Sequence, residues 1–546
     1  MNFPYDWGMR ILFTLGILGT IWQIALRYLQ FYQQEEYDTK RFLAWWFRQK
    51  AVEKRASLAC ILLGLFFFFL PPQAQPALLL SCLVVLVPLC ALGWSNRPRE
   101  SKKPLAPTKR VKRILGLTAV LQLTLLHAIL AVSSNTSPHA IPVFCLLCLL
   151  WIQATPLFLA AANGLLWPLE RSIQHSFLNE ARKKLYNYNP YTIGITGSYG
   201  KTSIKHILDH ILTSQTHTLA TPGSVNTQMG ITRIVRERLK KEHQYFIVEM
   251  GAYGIGSIKT LCDLTPPRAA LVTAVGLAHY ERFKSVETVK TAKAELVDAL
   301  PKDGFAVLNG DDPNVRAMAE RTEASIGFYG RNTHAGSLHC RLVSDTLTPN
   351  GMECTLNYEN RDYTFTLPLY GRHQALNAAG AFLLACRLGT APVSAIAALQ
   401  TVPPINHRLV VQKSPDGIIT IDDAYNSNPE GFKNALEVLE ILPGKPKVLV
   451  TPGMVELGER MNAEHENLAP LAARCSDIIC LVAAHRIPAF REALLQIGFP
   501  VENLYTFATL NEARSWLREN ITSGGVILFE NDLPDLYETG TAFPLI

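Results

Sequence analysis

The octapeptide TGSYGKTS, which ends at Ser203, combines a lysine and hydroxyl residues with two glycines. Its spacing is G-x-x-G-K-[ST], formed by Gly197, Gly200, Lys201 and Thr202. A turn of this kind between a strand and a helix directs backbone N–H groups at phosphate oxygens. Its lysine neutralises phosphate charge, and its hydroxyl can hold Mg²⁺. Because Ile195 stands where the full phosphate-loop pattern has its first glycine, the loop predicts binding of a nucleotide phosphate, as in ATP, without naming a reaction.

Three further polar residues accompany apolar runs downstream of this loop. Glu249 ends the strand-like run in FIVEMGA, His279 follows ALVTAVG, and Lys293 lies in the helical stretch KTAKAELVDAL. A carboxylate at the end of a buried strand, beside a phosphate loop, is well placed to bind Mg²⁺. The alternatives at this point are a helix-capping acid, a structural histidine and a lysine on a solvated helix face.

The first 170 residues hold five apolar stretches, which together predict a helical membrane domain. Each is close to the length of about 20 residues that crosses a bilayer. The five are Ile11–Leu26, Ala56–Leu70, Ala77–Trp94, Ile114–Val132 and Ile141–Trp167.

The loops between these stretches differ in basic charge, which predicts an orientation. Tyr28–Arg55 carries six Lys/Arg and Ser95–Arg113 carries eight, whereas Pro71–Pro76 and Ser133–Ala140 carry none. Because Lys and Arg accumulate in cytoplasmic loops, we expect an outside N-terminus and cytoplasmic catalytic domains. The expected location is the inner membrane, with several spans and with membrane lipid as a partner.

The net charge is uneven along the chain, and its distribution excludes one class of partner. Residues 1–171 hold 17 Lys/Arg against 7 Asp/Glu, a net of +10, whereas the whole chain is +7 and the remainder −3. The basic excess therefore belongs to the first segment, and no nucleic-acid surface is predicted. The eleven scattered cysteines suit a reducing compartment.

The rest of the chain alternates strand-like and helix-like patterns, which predicts α/β domains with mainly parallel sheets. The expected central domain is 186–398, with an added β region over Gly327–Leu369 and a helix over Ala375–Leu388. A smaller Rossmann-like domain is expected over 399–546. The predicted strands are Tyr191–Thr196, Tyr245–Glu249, Ala269–Val275, Ala306–Asn309, Gly417–Asp422, Lys447–Val450, Asp477–Val482 and Gly525–Glu530.

Nine motifs in order resemble the Mur ligases. They are TGSYGKTS, TPGSVNTQMG, VEMGA, AVGLAHYERF, AKAEL, GRHQALNAAGA, INHRL, IDDAYNSNP and PGMVELGE. The similarity is greatest to the branch that adds D-alanyl-D-alanine to a UDP-muramoyl-tripeptide. It is dense from Thr192 to Glu466 and weak over the last 80 residues. Tyr199 and the ending FENDLPDLY depart from the family's pattern, and a predicted membrane domain stands where the family has a UDP-sugar domain.

The resemblance implies roles for individual residues. ATP would be held by Gly197, Ser198, Gly200, Lys201, Thr202, Ser203, His373, Asn377, Arg408 and Asp423, and two Mg²⁺ ions by Thr202, Glu249, His279 and Lys293, the last carbamylated. Lys201, Lys293, Arg408 and His279 would be catalytic, and Asn426 and Asn428 would lie near the incoming amine.

The resemblance also implies a reaction, in which ATP activates a carboxylate as an acyl phosphate and an amine displaces the phosphate. The amine would belong to an amino acid or a dipeptide such as D-alanyl-D-alanine. The carboxylate substrate stays open between a lipid-linked molecule, an exported envelope polymer and the UDP-linked peptidoglycan precursor, with envelope-synthesis proteins as further partners. The alternative function is a membrane transporter or scaffold with a regulatory nucleotide-binding domain.

Overall fold

The computed structural model describes residues 4–48, 55–69, 105–133, 140–276, 285–332, 338–405, 408–424, 427–454, 457–521 and 523–531. The chain divides into two compact units. One comprises Met1–Ile173 with Pro534–Ile546, and the other is Gln174–Leu533.

The described part of the first unit is helical. Its core contains the fully buried rings of Tyr32, Phe42 and Trp151. An ion pair of 2.6 Å joins Arg113 Nε to Glu170 Oε1 within this unit. The helices are Pro4–Gln34, Thr39–Arg48, Arg55–Phe69, Lys109–Ser133, Ala140–Gln153 and the start of Thr155–Tyr188, which continues into the second unit.

The prediction of a multi-pass inner-membrane protein with five spans is wrong. Among the described helices, one segment, Lys109–Ile129, is long and apolar enough to cross a membrane. A second candidate arises only if Leu146–Gln153 and Thr155–Tyr188, which are bent by 52°, are taken as one broken span.

The prediction of five spans failed partly because one apolar stretch is not one helix. The fifth predicted stretch, Ile141–Trp167, is interrupted near residue 154, where two helices meet at an angle. Apolar residues were thus counted across a break that Pro156 marks in the sequence. The third stretch, Ala77–Trp94, lies outside the described residues.

The second unit begins with a large sheet, nine-stranded in the part of the chain that the structure describes. Its order is β2-β3-β1-β4-β5-β6-β7-β8-β9, parallel from β2 to β7 and antiparallel from β7 to β9. The strands are β1 Tyr191–Thr196, β2 Thr218–Ala220, β3 Tyr245–Glu249, β4 Ala269–Val272, β5 Phe305–Asn309, β6 Ser325–Gly330, β7 Cys340–Thr348, β8 Gly351–Tyr358 and β9 Arg361–Leu367.

Helices pack on both faces of this sheet and form two apolar cores. One core joins Ile204, Ile207 and Leu208 to the helix Arg372–Arg387, and the other joins Ile231 and Val235 to the helix Val286–Asp298. The helices are Lys201–Thr213, Gln228–Arg238, Ser257–Leu264, Val286–Asp298, Pro313–Arg316, Arg372–Arg387 and Pro392–Leu399. Burial on both faces explains why the central strands read as continuous apolar runs.

A second sheet, six-stranded among the described residues, follows in the order β10-β11-β15-β12-β13-β14. All neighbours are parallel except β10 and β11. The strands are β10 Val410–Lys413, β11 Ile419–Asp423, β12 Lys447–Thr451, β13 Ile478–Val482, β14 Leu504–Phe507 and β15 Val526–Glu530. Its helices are Pro429–Ile441, Met461–Cys475, Pro488–Gln496 and Leu510–Asn520.

The prediction of α/β architecture with mainly parallel sheets is therefore confirmed, whereas the membrane domain is not supported. In both sheets the polar residues of interest follow the carboxyl ends of strands, where open α/β sheets bind ligands.

Candidate active site

The phosphate loop connects β1 to the helix Lys201–Thr213, and both of its glycines are sterically required. Gly197 has φ +153°, and a Cβ there would lie 1.8 Å from Thr273 Oγ1. Gly200 has φ +78°, and its Cβ would lie 2.7 Å from Asn377 Oδ1. The N-cap residue of the helix Lys201–Thr213 is Gly200, which has no side chain with which to cap it. The first N–H groups of this helix are therefore left to bind an anion such as phosphate.

Lys201 lies over the loop that precedes it. Its ammonium donates to the carbonyl oxygen of Gly197 at 2.7 Å. Burial lowers the pKa of Lys201 from its ordinary value, the charge of Glu249 opposes the shift, and the Arg408 guanidinium adds to it. Two cations, Lys201 and Arg408, thus share one cavity, an arrangement that favours a ligand with several negative charges.

Glu249, at the end of β3, accepts hydrogen bonds from three side chains. Thr202 Oγ1 and Lys205 Nζ each donate to Oε2 at 3.0 Å, and Asn226 Nδ2 donates to Oε1 at 3.1 Å. The carboxylate is 1% exposed. These bonds fix the Glu249 carboxylate beside the first turn of the phosphate-loop helix.

The donor atoms at this point suit Mg²⁺. The Thr202 hydroxyl and the Glu249 carboxylate offer oxygen ligands, and Mg²⁺ takes few protein oxygens beside water and substrate phosphates. The described residues contain no group of three or more His, Cys, Asp or Glu that could hold a metal ion.

Lys293 lies on the helix Val286–Asp298 and is 4% exposed, which excludes the solvated helix face considered from the sequence. Burial lowers its pKa well below the ordinary value, and the Lys201 ammonium lowers it further. Two residues on, Glu295 accepts the backbone N–H groups of Gly256 and Lys259, with its Oε2 2.9 Å from Lys259 N. Glu295 therefore caps the helix Ser257–Leu264.

The helix Arg372–Arg387 places His373 and Asn377 at the same cavity. Burial, assisted by the Arg408 guanidinium, lowers the pKa of His373 to about 4. The imidazole is therefore neutral near pH 7, and its Nδ1 has no hydrogen-bond partner among the described residues. Asn377 Nδ2 donates to Gln374 Oε1 at 3.3 Å. A neutral ring and an amide are groups that can contact a purine base.

Arg408 and Asp423 reach the cavity from the start of the second sheet. Leu409 adopts φ +50° although it is not glycine, and its N–H donates to Asp423 Oδ1 at 3.2 Å. A strained residue of this kind persists when its surroundings fix it, and here it links the backbone beside Arg408 to the end of β11. Burial raises the pKa of Asp423 to about 6, against the effect of Arg408.

Glu530 pairs with Asp423 in the strand register and is fully buried. Ser427 Oγ donates to its Oε1 at 2.5 Å. Burial and then the charge of Asp423 raise the pKa of Glu530 well above its ordinary value. The two carboxyl groups thus lie side by side at the carboxyl ends of β11 and β15.

One cavity of about 390 Å³ collects most of the predicted residues. Its lining includes Ser198, Gly200, Lys201, Thr202, Ser203, Glu249, His373, Asn377, Arg408, Asp423 and Asn428. Gly197 and Lys293 do not line it, although both neighbour Lys201. His279 and Asn426 lie outside the described residues, so their roles stay predictions.

Some residues of the site escaped the sequence analysis. Lys205 lies four residues after Lys201 on one helix face, a spacing that could have revealed it. Asn226, in the motif TPGSVNTQMG, could have been noted as an amide near the phosphate loop. The backbone role of Leu409 has no signal in the sequence, because the positive φ of a leucine is set by its surroundings.

Two family models match this unit. Mur ligase middle domain matches residues 195–385, and Mur ligase, glutamate ligase domain, matches residues 407–530.

The similar proteins are peptide ligases. The UDP-N-acetylmuramoyl-tripeptide–D-alanyl-D-alanine ligase of Mycobacterium leprae is 31% identical over 364 residues, which cover 62% of this chain and 70% of that protein. The ligase of the same name from Mycobacterium tuberculosis is 37% identical over 52% of this chain. The chain spans little more than half, 56%, of that relative's length.

Solved structures show the same likeness. MurF ligase from Thermotoga maritima, in complex with ADP, superposes with a TM-score of 0.58 and 26% identity, over 67% of this chain and 81% of that one. MurF from Acinetobacter baumannii gives a TM-score of 0.57 and 27% identity, over 66% and 77% of the two chains.

Proposed function

From the membership of this chain in the Mur ligase family, we propose that it is an ATP-dependent ligase that joins a carboxylate to an amine in peptidoglycan synthesis. The observation that carries the proposal is the joint cavity in which Lys201, Glu249 and Arg408 meet. ATP is converted to ADP and phosphate. The domain boundaries 186–398 and 399–546 are part of this proposal.

The proposed nucleotide position follows from the geometry of the loop. The β- and γ-phosphates lie at the N-terminus of the helix Lys201–Thr213, where uncapped N–H groups and the Lys201 ammonium meet. The resemblance to the family implies that the base would contact Asn377, with His373 nearby, and that the ribose would contact Asp423. The Thermotoga maritima relative was solved with ADP, which supports a nucleotide in this cavity.

Thr202 and Glu249 are the described residues that would hold Mg²⁺, which would offset charge on the transferring phosphoryl group. The resemblance implies a second ion held by His279 and a carbamylated Lys293. The buried Lys293 amine suits that modification, because addition of CO₂ with loss of a proton turns it into an oxygen ligand.

Activation is needed because a carboxylate is a poor electrophile. Its oxygen attacks the γ-phosphorus of ATP, the bond to the β-phosphate oxygen breaks, and an acyl phosphate and ADP result. The amine then adds to the acyl carbon, phosphate leaves, and the amine proton is lost. Lys201 and Arg408 stabilise the negative charge that gathers on the phosphoryl group, an effect typically worth about 10²–10³ in rate for one such donor.

The substrates are proposed from the relatives' names and from the site. The amine is an amino acid or a dipeptide like D-alanyl-D-alanine, with Asn428 and Asn426 beside it. The acceptor is a carboxylate of a peptidoglycan precursor such as the UDP-N-acetylmuramoyl-tripeptide of the relatives' names. A lipid-linked acceptor is the competing case, and the test below separates the two.

The test supplies the full chain with ATP, Mg²⁺, D-alanyl-D-alanine and each acceptor in turn. We expect ADP formation that requires the dipeptide, together with a new amide found by mass spectrometry in either the UDP-linked or the lipid-linked fraction. ATP binding without turnover, across a broad set of amines and acceptors, would contradict the proposal and favour a regulatory nucleotide site.

A further inference from the structure

Two carboxyl groups, one half-buried and one fully buried, stand together at the edge of the nucleotide cavity, and the roles assigned above use only the first. Asp423 ends β11 and lines the cavity, whereas Glu530 ends β15 and is not among the described residues of the lining. The two are partners in the parallel register, and Glu530 is 0% exposed. Glu530 belongs to the ending FENDLPDLY, which departs from the family's pattern, so the resemblance gives its carboxyl group no role.

The two oxygen atoms of Glu530 have different surroundings. Oε1 accepts a hydrogen bond from Ser427 Oγ at 2.5 Å, whereas Oε2 has no hydrogen-bond partner among the described residues. A buried carboxylate oxygen without a donor is costly. The Asp423 side chain is in hydrogen-bonding contact with Glu530, but it cannot supply a donor while both groups are ionised, because ionised carboxylates only accept. A proton on Oε2 would turn that atom into a donor to Asp423.

The neighbouring charges decide which of the two groups carries the proton. Burial raises the pKa of Asp423 to about 6, the Arg408 guanidinium opposes this shift, and the Asp422 charge adds to it. Burial and then the charge of Asp423 raise the pKa of Glu530 well above its ordinary value. Because a cation acts on Asp423 and an anion acts on Glu530, the negative charge stays on Asp423 and the proton on Glu530. The pair then carries a single charge, which Arg408 balances.

We propose that Glu530 is a protonated carboxylic acid at neutral pH, and that its O–H donates to Asp423 and positions that carboxylate to accept a hydroxyl of the nucleotide ribose. The inference rests on the proposed function, in which the ribose contacts Asp423, and it makes Glu530 a positioning residue of that site. The proton removes the repulsion between two adjacent carboxylates. It also fixes the Asp423 side chain together with the N–H of Leu409, which donates to Oδ1 at 3.2 Å.

A fixed, ionised acceptor makes the site sensitive to the sugar of the nucleotide. A deoxynucleotide that lacks the contacted hydroxyl leaves the Asp423 carboxylate with one partner fewer, which costs binding energy. The preference for ADP over such an analogue should therefore depend on a hydrogen-bond donor at position 530.

The proton is tested by infrared spectroscopy of the full chain near pH 8, where an ordinary carboxyl group is ionised. We expect the carbonyl stretching band of a protonated carboxyl group, which shifts in ²H₂O and is absent from Glu530→Gln. Glu519→Gln, at an exposed glutamate of the last helix, is the matched control and should retain the band. A spectrum without this band, or a band that Glu530→Gln leaves unchanged, would overturn the inference.

The positioning role is tested by calorimetry with ADP, 2′-deoxy-ADP and 3′-deoxy-ADP in the presence of Mg²⁺. Glu530→Gln keeps a donor in a side chain of the same size, so its ADP affinity should stay within about twofold of that of the unmodified chain. Glu530→Leu has no donor and should bind ADP about tenfold more weakly, the size of a lost hydrogen bond to a charged group. Its affinity for the analogue that lacks the contacted hydroxyl should change less, so the preference for ADP shrinks.

Equal losses of ADP affinity in the Gln and Leu variants, or an undiminished preference for ADP in Glu530→Leu, would contradict the positioning role. Absence of ADP binding by the unmodified chain would overturn it as well. Failure of the ligase proposal is distinguishable, because it would appear as absent ATP turnover with D-alanyl-D-alanine while the infrared band and the preference for ADP persist.

Discussion

The Lys205 ammonium lies 3.0 Å from Glu249 Oε2, and the two side chains are only 5% and 1% exposed. Lys205 also donates to the carbonyl oxygen of Gly223. One buried lysine therefore holds the proposed Mg²⁺ carboxylate and the loop after β2 at the same time.

This pair predicts a large stability effect. Lys205→Met should lower the free energy of unfolding by about 3–5 kcal/mol, because it removes the cation that is hydrogen-bonded to the buried Glu249 carboxylate. Denaturant unfolding followed by circular dichroism measures the loss. Lys240→Met is the control, since Lys240 pairs with Glu242 at 3.4 Å on the surface and should cost about 0–1 kcal/mol. Equal losses in the two variants would contradict the assignment.

The phosphate-loop lysine should be required for turnover and not for folding. Lys201→Ala is expected to reduce ATP turnover by about 10²-fold or more, because it removes a cation aimed at the transferring phosphoryl group. Lys302→Ala, at an 83% exposed side chain, should leave the rate unchanged. Substantial ligation by Lys201→Ala, with the fold intact by circular dichroism, would count against the proposed site.

Replacement of Gly200 by alanine should weaken nucleotide binding. Gly200→Ala adds a Cβ 2.7 Å from Asn377 Oδ1 at a residue with φ +78°. Gly498 has φ +83° and no atom within 4 Å of such a Cβ, so Gly498→Ala isolates the backbone cost. Gly498→Ala should lose about 1 kcal/mol of stability, and Gly200→Ala should lose more, because Asn377 must shift to admit the added Cβ. Only Gly200→Ala should bind ADP more than tenfold more weakly in calorimetry, and intact ADP binding there would refute the predicted loop contact.

A half-buried acid on the phosphate-loop helix, Asp209, should make stability fall as pH rises. Burial raises the pKa of Asp209 from 3.8 to about 6, against the lowering effects of Thr213 and Lys205. The unfolded chain therefore loses this proton at lower pH than the folded one, and the carboxyl costs stability as pH rises from 3.8 to about 6. Asp209→Asn should be nearly neutral at pH 4 and more stabilising at pH 8, by up to about 3 kcal/mol.

Thermal and denaturant unfolding at the two pH values test this dependence. Asp416→Asn, at an exposed aspartate, is the matched variant. A stability difference for Asp209→Asn that does not change between pH 4 and pH 8 would contradict the predicted role of burial.

The central parallel strands of the second unit could be predicted from the sequence, because the sheet is covered on both faces. β1 and β3 have the bounds predicted for them, since strands covered on both faces appear as unbroken apolar runs. β2, with three half-buried residues, Thr218–Ala220, offers no such run and was missed. The short antiparallel β10, Val410–Lys413, was missed as well, because half of it is exposed.

Site residues could be predicted where a chemically suitable side chain follows or ends a predicted strand. Lys201 and Glu249 carry chemistry at the ends of buried strands, so their meeting followed from topology. The Lys205–Glu249 contact depends on side-chain packing between segments distant in sequence. Apolar composition misled the membrane prediction, because an apolar run does not show where one helix ends and the next begins.

The central claim is that a carboxylate is activated by direct phosphorylation from ATP. Acceptor with ¹⁸O in its reacting carboxylate, incubated with the full chain, ATP, Mg²⁺ and D-alanyl-D-alanine, provides the test. The account predicts one ¹⁸O atom in the released phosphate for each amide formed, with ADP as the nucleotide product. Amide formation with unlabelled phosphate, or with AMP and pyrophosphate, would contradict it.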